Sequence, residues 1–171
     1  MLIRVEIPVD AMGIDKLLRD TFPTEAEADL VQKLREDGLL TLGVVATNDN
    51  GEVIGYVGFT PVDVNNEDVQ WVGLAPLAVS KAHQKQGIGG QLIYEGLDSL
   101  NEFGYGAVVV LGDSNYYRRF GFEPASKYEV FSQWPELQEH FMICGLENGS
   151  LSDHKGQVTY SSHFDVFWCI K

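Results

Sequence analysis

The 171 residues predict an α/β domain: a mixed sheet with helices packed against it. Three observations carry that expectation. After a first strand come two segments with apolar residues at helical spacing, and β-rich apolar runs joined by polar turns follow them. At the centre, an apolar run, a glycine-rich loop, a helical segment and a β-branched run succeed one another as a βαβ unit. Such a crossover pairs its strands in parallel and is expected to be right-handed.

Taken in order, Met1-Leu2-Ile3-Arg4-Val5-Glu6-Ile7-Pro8 alternates like a strand and does not resemble a secretion signal. Asp10 is placed to cap a helix carrying Ile14, Leu17, Leu18 and Phe22, which Pro23 ends. Thr24 begins a second helix with Leu30, Val31 and Leu34 inward until Gly38, and Thr24-x-x-Glu27 has the spacing of a capping box. Leu40 to Ala46 and Val53 to Thr60 read as a hairpin around the polar turn Thr47-Asn48-Asp49-Asn50-Gly51-Glu52. Another polar turn, Asn65-Asn66-Glu67-Asp68, leads into a long strand from about Val69 to Val79. Pro76 cannot donate to a ladder, so a bend or bulge is expected beside it. Beyond the central helix (Leu92, Ile93, Leu97, Leu100) come the strand Ala107 to Leu111, a short helix at Tyr116, and apolar pulses at Phe141 to Cys144, Val158 to Tyr160 and Phe164 to Ile170.

A content of 44% hydrophobic and 22% charged residues is ordinary for a globular protein, and the length suits one domain spanning 1–171. No apolar segment reaches the roughly 20 residues that cross a bilayer. A cytoplasmic protein without a membrane partner is expected. Twelve basic against twenty-five acidic residues leave a net charge of −13, which repels nucleic-acid phosphates. The same field favours a cationic partner, although acidity also serves solubility. Cys144 and Cys169 lack zinc-ligand spacing and read as buried free thiols, and His83, His140, His154 and His163 are scattered. No metal is expected.

Gln84-Lys85-Gln86-Gly87-Ile88-Gly89-Gly90 stands between the run Leu74 to Val79 and the central helix. Glycines there remove the side chains that would hold an anion away from the main chain. Successive N–H groups can then converge on it beside the positive end of the helix dipole. A tight turn into the helix with no ligand is the other reading of the same glycines.

Gln84-x-x-Gly87-x-Gly89 resembles the Arg/Gln-x-x-Gly-x-Gly/Ala signature of the GNAT family of N-acetyltransferases, and Tyr117-Arg118-Arg119-Phe120-Gly121-Phe122 matches its Tyr-x-x-x-Gly-Phe. The phrase from Leu111 to Pro124, and the later Gly156-x-Val158-x-Tyr160, are most similar to the YhbS-type branch of predicted acetyltransferases. The resemblance implies a mixed, mostly antiparallel sheet with one splayed parallel pair, flanked by helices. It further implies acetyl-CoA as acyl-donor cosubstrate, held by Leu77, Ala78, Val79, Gln84, Lys85, Gln86, Gly87, Ile88, Gly89, Gly90, Asn115 and Tyr116. The acceptor would be an amine-bearing small molecule or peptide, attacked in a ternary complex, and a homodimer would be in keeping with the family. Two departures stand out: Lys85 where glycine is frequent, and Gly90 where a small hydroxyl residue often sits.

Acetyl transfer needs an unprotonated nucleophile, donors facing the developing oxyanion and a proton for the departing thiolate. The backbone N–H at Val79 is the implied oxyanion donor. Tyr117 is the expected acid, since a phenol of pKa about 10 can protonate a forming thiolate whose acid lies near 8.5. Glu27 is the candidate base, with Glu25 beside it and Asp68 and Gln70 as others; Glu27 also fits its capping box. His83 reads as a surface histidine near the cofactor phosphates, and Arg118 and Arg119 as 3′-phosphate ligands or solvated side chains. Trp134, Phe131 and Phe141 would line an acceptor pocket or fill the core. A catalytically silent acyl-CoA sensor is the alternative from another class.

Overall fold

The computed structural model describes residues 1–170. The elements in order are β1 (Leu2–Val5), α1 (Ala11–Thr21), α2 (Ala26–Glu36), β2 (Leu42–Thr47), β3 (Val53–Val64), β4 (Glu67–Val79), α3 (Ile88–Glu102), β5 (Ala107–Leu111), α4 (Ser114–Tyr117), β6 (Glu123–Pro124), β7 (Val130–Ser132), β8 (Phe141–Gly145), β9 (Gly156–Thr159) and α5 (His163–Ile170). They group into two compact units. One holds residues 1–60, 75–96 and the chain from Ser162 onward; the other holds 61–74 and 97–161. The strands β3 and β4 and the helix α3 each contribute residues to both.

In the first unit β2 pairs antiparallel with β1 and with β3, from Leu2↔Thr47 to Val5↔Val44 and from Leu42↔Phe59 to Thr47↔Val53. The first and second helices pack Ile14, Leu17, Leu18, Ala28 and Val31 against Val45, Tyr56 and Ala78. Successive residues of a strand face opposite sides, so Gly55 and Phe59 look away from that layer. There α3 is seated where side chains are missing. A Cβ on Gly55 would lie 3.0 Å from Leu92 and 3.2 Å from Ile88, and one on Gly96 would lie 2.5 Å from the ring of Phe59.

Both helix starts differ from the sequence expectation. Asp10 does occupy the N-cap position of α1, but its carboxylate makes no cap bond to that helix. It turns back instead, accepting from the Ile7 N–H at 2.8 Å and from both terminal nitrogens of Arg4 at 2.7 and 3.0 Å. Charge-assisted bidentate pairing outcompetes a single cap bond. The second helix begins at Ala26 with Glu25 at its N-cap, one residue later than a Thr24 cap requires, so the expected capping box is out of register. Thr24 keeps a remnant of it, donating to the Glu27 carboxylate at 3.2 Å.

In the second unit β4 and β5 run parallel over Trp71↔Ala107 to Gly73↔Val109. β8 lies antiparallel beside β5 and carries β6, also antiparallel, on its far edge. β9 pairs parallel with β7 and antiparallel with the end of β3. The turn between β3 and β4 is two residues long, because Asn65 and Asn66 both adopt left-handed φ of 51° and 64°. That geometry suits a hairpin twist, and Glu67 and Asp68 already belong to the strand. β4 continues unbroken through Pro76, whose bond to Ala75 is cis. Phe141 takes the core alternative of its two readings, fully buried with Trp71 and Phe122.

Asp10 is 7% exposed, and its pKa is held below the usual aspartate value, first by the hydrogen bonds from Arg4. A depressed carboxylate adds stability above its unfolded pKa of about 3.9 and loses it as pH falls through the lower folded value. Asp10→Ala should lower the urea-unfolding free energy by about 1–2 kcal/mol at neutral pH. The difference from the parent should shrink as the pH is taken below about 4.

Candidate functional site

The first unit presents the glycine loop. After β4 the chain makes a 3-10 turn over Lys81–His83, anchored by the Ser80 N–H to the Ile54 carbonyl at 2.8 Å and the His83 N–H to the Ser80 carbonyl at 2.8 Å. Gln84 then folds back, its amide donating to the Val79 carbonyl at 3.0 Å, so the first residue of the signature is tied to the last of the strand. Lys85 and Gly87 both have left-handed φ, 64° and 81°, the backbone ingredient of an anion-binding nest. The loop ends at Gly87. Ile88, Gly89 and Gly90, read from sequence as loop, form the first turn of α3, and the first intrahelical bond runs from the Gln91 N–H to the Gly87 carbonyl at 3.1 Å.

A helix of this kind has no internal acceptor for its first N–H groups. The loop from Gln84 to Gly87 is exposed while Ile88 is buried, so the turn is pinned on its apolar side and open on its polar one. A Cβ on Gly87 would touch nothing within 4 Å. Glycine is therefore needed there for its φ and not for room. The same conformation at Lys85 strains a side-chain-bearing residue by roughly 1 kcal/mol, which accounts for glycine being frequent at that position of the signature. Leu77 and Val79 are half-buried and Ala78 buried.

The second unit presents the tyrosines. α4 is capped by Asp113, whose carboxylate accepts from the Asn115 N–H at 2.9 Å. Gly121 closes the following 3-10 turn at φ 91°, the left-handed cap that Tyr-x-x-x-Gly demands. Tyr117 is 8% exposed, its ring edge-on to Tyr116 at 5.1 Å and to Phe122 at 5.6 Å. Burial, and then the neighbouring Tyr116, push its phenol well above the ordinary value. Tyr117 is thus protonated at neutral pH, and giving its proton to a thiolate is a steeper step than an unperturbed phenol suggests. Tyr116 is half-buried with the Arg119 guanidinium 4.7 Å from its ring centre. Arg118 is exposed.

The remaining candidates separate. Glu27 is 2% exposed in the first turn of α2, whereas Glu25 is exposed and 3.5 Å from Arg19. Asp68 and Gln70 are exposed strand residues joined to each other, the Gln70 N–H donating to the Asp68 carboxylate at 2.9 Å. His83 is half-buried and not a surface histidine, with Nδ1 shielded and lacking a hydrogen-bond partner among the described residues. The aromatic wall does not assemble: Phe131 is exposed, Phe141 is core, and Trp134 stacks 5.5 Å from Tyr160. Cys144 is a half-buried free thiol; the Cys169 side chain lies outside those described. Among the described residues no cluster of three or more His, Cys, Asp or Glu could hold a metal, and no helix is long and apolar enough to cross a membrane.

Residues 12–122 match the model of the acetyltransferase (GNAT) family. The chain belongs to the GNAT family. It is 58% identical over 167 residues to the uncharacterized N-acetyltransferase YhbS of Escherichia coli K12, covering 98% of this chain and 100% of that one. The crystal structure of E. coli YhbS in complex with CoA superposes with a TM-score of 0.93, covering 96% of this chain and 91% of that one. A GNAT acetyltransferase from Brucella melitensis in complex with acetyl-CoA is 34% identical, with a TM-score of 0.80 over 96% of this chain and 97% of that one. The mixed sheet, with β4 and β5 parallel among mostly antiparallel neighbours and with flanking helices, is the fold that the resemblance implied.

The loop geometry makes two opposite predictions. Gly87→Ala should lower stability by about 1 kcal/mol and weaken CoA binding at least severalfold in calorimetry. Lys85→Gly should raise the unfolding free energy by about 0.5–1 kcal/mol in urea titration by releasing the same strain.

Proposed function

We propose that the whole chain acts as one N-acetyltransferase domain moving acetyl from acetyl-CoA to an amine by direct attack in a ternary complex. The observation that carries the reading is a pinned helix N-terminus behind two left-handed loop residues, in the signature of a family whose relatives include chains solved with CoA and acetyl-CoA. Main-chain N–H groups from Lys85 to Gly90 hold the pyrophosphate, with Gln84 and Gln86 framing it, and Leu77, Ala78 and Val79 offer strand edge groups to the pantetheine arm. Asn115 and Tyr116 complete the cofactor contacts. Because the donors are main-chain groups and a helix end, this anion site works within a protein of net charge −13.

In the chemical step the neutral amine forms a bond to the thioester carbonyl carbon while the Val79 N–H stabilises the oxyanion. Glu27, directly or through water, takes the proton released from nitrogen. Collapse breaks the carbon–sulfur bond, and the Tyr117 hydroxyl protonates the sulfur, so the products are an amide and a free thiol. The acidic surface favours a cationic acceptor.

Free-thiol release should be followed with acetyl-CoA and four amines: a polyamine, an aminoglycoside, a peptide with a free N-terminus and a peptide with a lysine side chain. Acceptor-dependent release is expected with at least one. CoA binding without release would identify a sensor instead. Tyr117→Phe should lower kcat by about 10²–10⁴-fold and leave acetyl-CoA affinity within about twofold; full activity would remove Tyr117 from the acid role.

A further inference from the structure

Exposed apolar side chains gather on one strip of the first unit. Among the described residues ten large ones are exposed, and six of them lie within the first twelve positions: Met1, Leu2, Val5, Ile7, Val9 and Met12, at 41–85%. A strip of that kind marks an interaction surface. Charge is also distributed differently there. Residues 1–20 carry three basic and four acidic side chains, against nine and twenty-one in the remainder. Two copies of a chain with a net charge of −13 therefore repel each other least across this strip.

The strip follows an open edge. β1 ends the sheet, paired with β2 alone. That pairing continues one residue past β1, where the Glu6 N–H donates to the Gly43 carbonyl at 2.9 Å. Main-chain groups along a strand alternate in direction, so Leu2 and Arg4 share the inward direction of Glu6, and Ile3 and Val5 turn their N–H and C=O groups outward. The Val5 carbonyl accepts from Arg4 Nη1 at 3.2 Å and keeps its second lone pair. Ile7 is still extended, at φ −120° and ψ 164°. Its N–H is given to the Asp10 carboxylate at 2.8 Å, and its carbonyl accepts from the Asp10 N–H at 2.9 Å. That carbonyl too has a lone pair to spare.

A second copy can close this edge across a two-fold axis normal to the sheet, and the side chains select the register. Antiparallel pairing about a central residue sets its two flanking residues opposite each other's copies, on the same face. Centred on Arg4 or on Glu6, the pairing opposes a charge to itself, which destabilises it. Centred on Ile3, it sets Arg4 against apolar Leu2. Centred on Val5, it sets Arg4 opposite Glu6 and Ile3 opposite Ile7, each twice over, and Val5 opposite itself. Of these registers only the last matches charge with opposite charge and apolar with apolar throughout.

We propose that two copies of this chain pair antiparallel through β1, extending the sheet across a two-fold axis at Val5. The Val5 N–H of each copy donates to the Val5 carbonyl of the other, and each Ile3 N–H donates to the Ile7 carbonyl of the other. Leu2 comes opposite Pro8 of the second copy, beside its Val9. The interface is isologous and closes on itself, and it covers an edge open to unwanted strand pairing. Nothing in it depends on the acetyl-transfer reading.

Sedimentation velocity on the full chain at tens of micromolar should show a dimer; a monomer overturns the proposal. Val5→Lys, at an exposed position, puts two ammonium groups on the axis and should raise the dimer dissociation constant at least about tenfold with the circular dichroism spectrum unchanged. Phe103→Lys, at an exposed aromatic outside the strip, should leave the dimer intact. A dimer indifferent to Val5→Lys, or weakened equally by Phe103→Lys, overturns the assignment of the surface. The register has its own test, which does not depend on how Val5→Lys folds. Under mild oxidation Val5→Cys should link two copies through the tryptic peptide that runs from position 5 to Lys16, found by mass spectrometry and lost on reduction. Val9→Cys, away from the axis, should not link. Absence of the link at position 5, or preferential linkage at position 9, overturns the register.

Discussion

The seat of α3 on β3 is the constraint on which the candidate cofactor site depends. Gly55 and Gly96 lack the side chains that would hold the helix off the strand, and Ile88, Leu92 and Phe59 fill the room they leave. Interiors packed at crystal-like density do not yield by ångströms, so this contact fixes where the helix begins and which way its axis points. Everything asked of the loop follows: its N–H groups converge only if the first turn stays in place. With Ile88 buried and Gly87 exposed on adjacent residues, the boundary between core and solvent passes through the candidate anion site at the helix start.

Such a site has to work in a chain whose net charge is repulsive to its ligand. Distance decides the competition. A Debye length of about 8 Å at physiological salt screens scattered surface carboxylates, whereas the helix-end dipole and main-chain N–H groups act at hydrogen-bond range. Two basic residues, Lys81 and Lys85, also lie in the same turn sequence. On the other layer of the first unit the charges are spent internally. Glu6 accepts from Arg35 at 2.8 Å and from the buried Tyr56 hydroxyl at 3.2 Å, lying over Gly43, while Asp10 grips Arg4. These pairs fasten β1 and the helices to the sheet, and with their charges already matched they add little field beyond themselves.

Much of this was legible in the residues for identifiable reasons. Ala107 to Leu111 was readable as a continuous β-branched run buried on both faces, and the segment containing Leu92 and Leu100 because one helical face is buried. Element starts were not. Asp10 and Thr24 look like caps, but cap choice is decided by long-range competitors, here Arg4 for Asp10, which no local pattern contains. The glycine loop was assigned three residues too long, because Gly89 and Gly90 read as breakers; the tertiary contact of Ile88 overrides their weak helix propensity. The aromatic residues of the C-terminal part were ambiguous for a related reason: composition marks them as apolar, and only the strand register separates buried Phe141 from exposed Phe131.

The tyrosines show a further limit of reading by motif. A match to Tyr-x-x-x-Gly-Phe names Tyr117 but treats its phenol as if in water, where the proton transfer to a thiolate is only mildly uphill. Packing against Gly112, Phe122 and Tyr116 makes that step steeper. The surroundings that keep the acid protonated and out of bulk solvent also make its conjugate base unwelcome, and desolvation strengthens every remaining electrostatic contact. An acid placed this way is useful only if something nearby stabilises the charge it leaves behind. The motif names Tyr117 as the candidate acid; packing against Gly112 sets the buried environment in which its phenol sits.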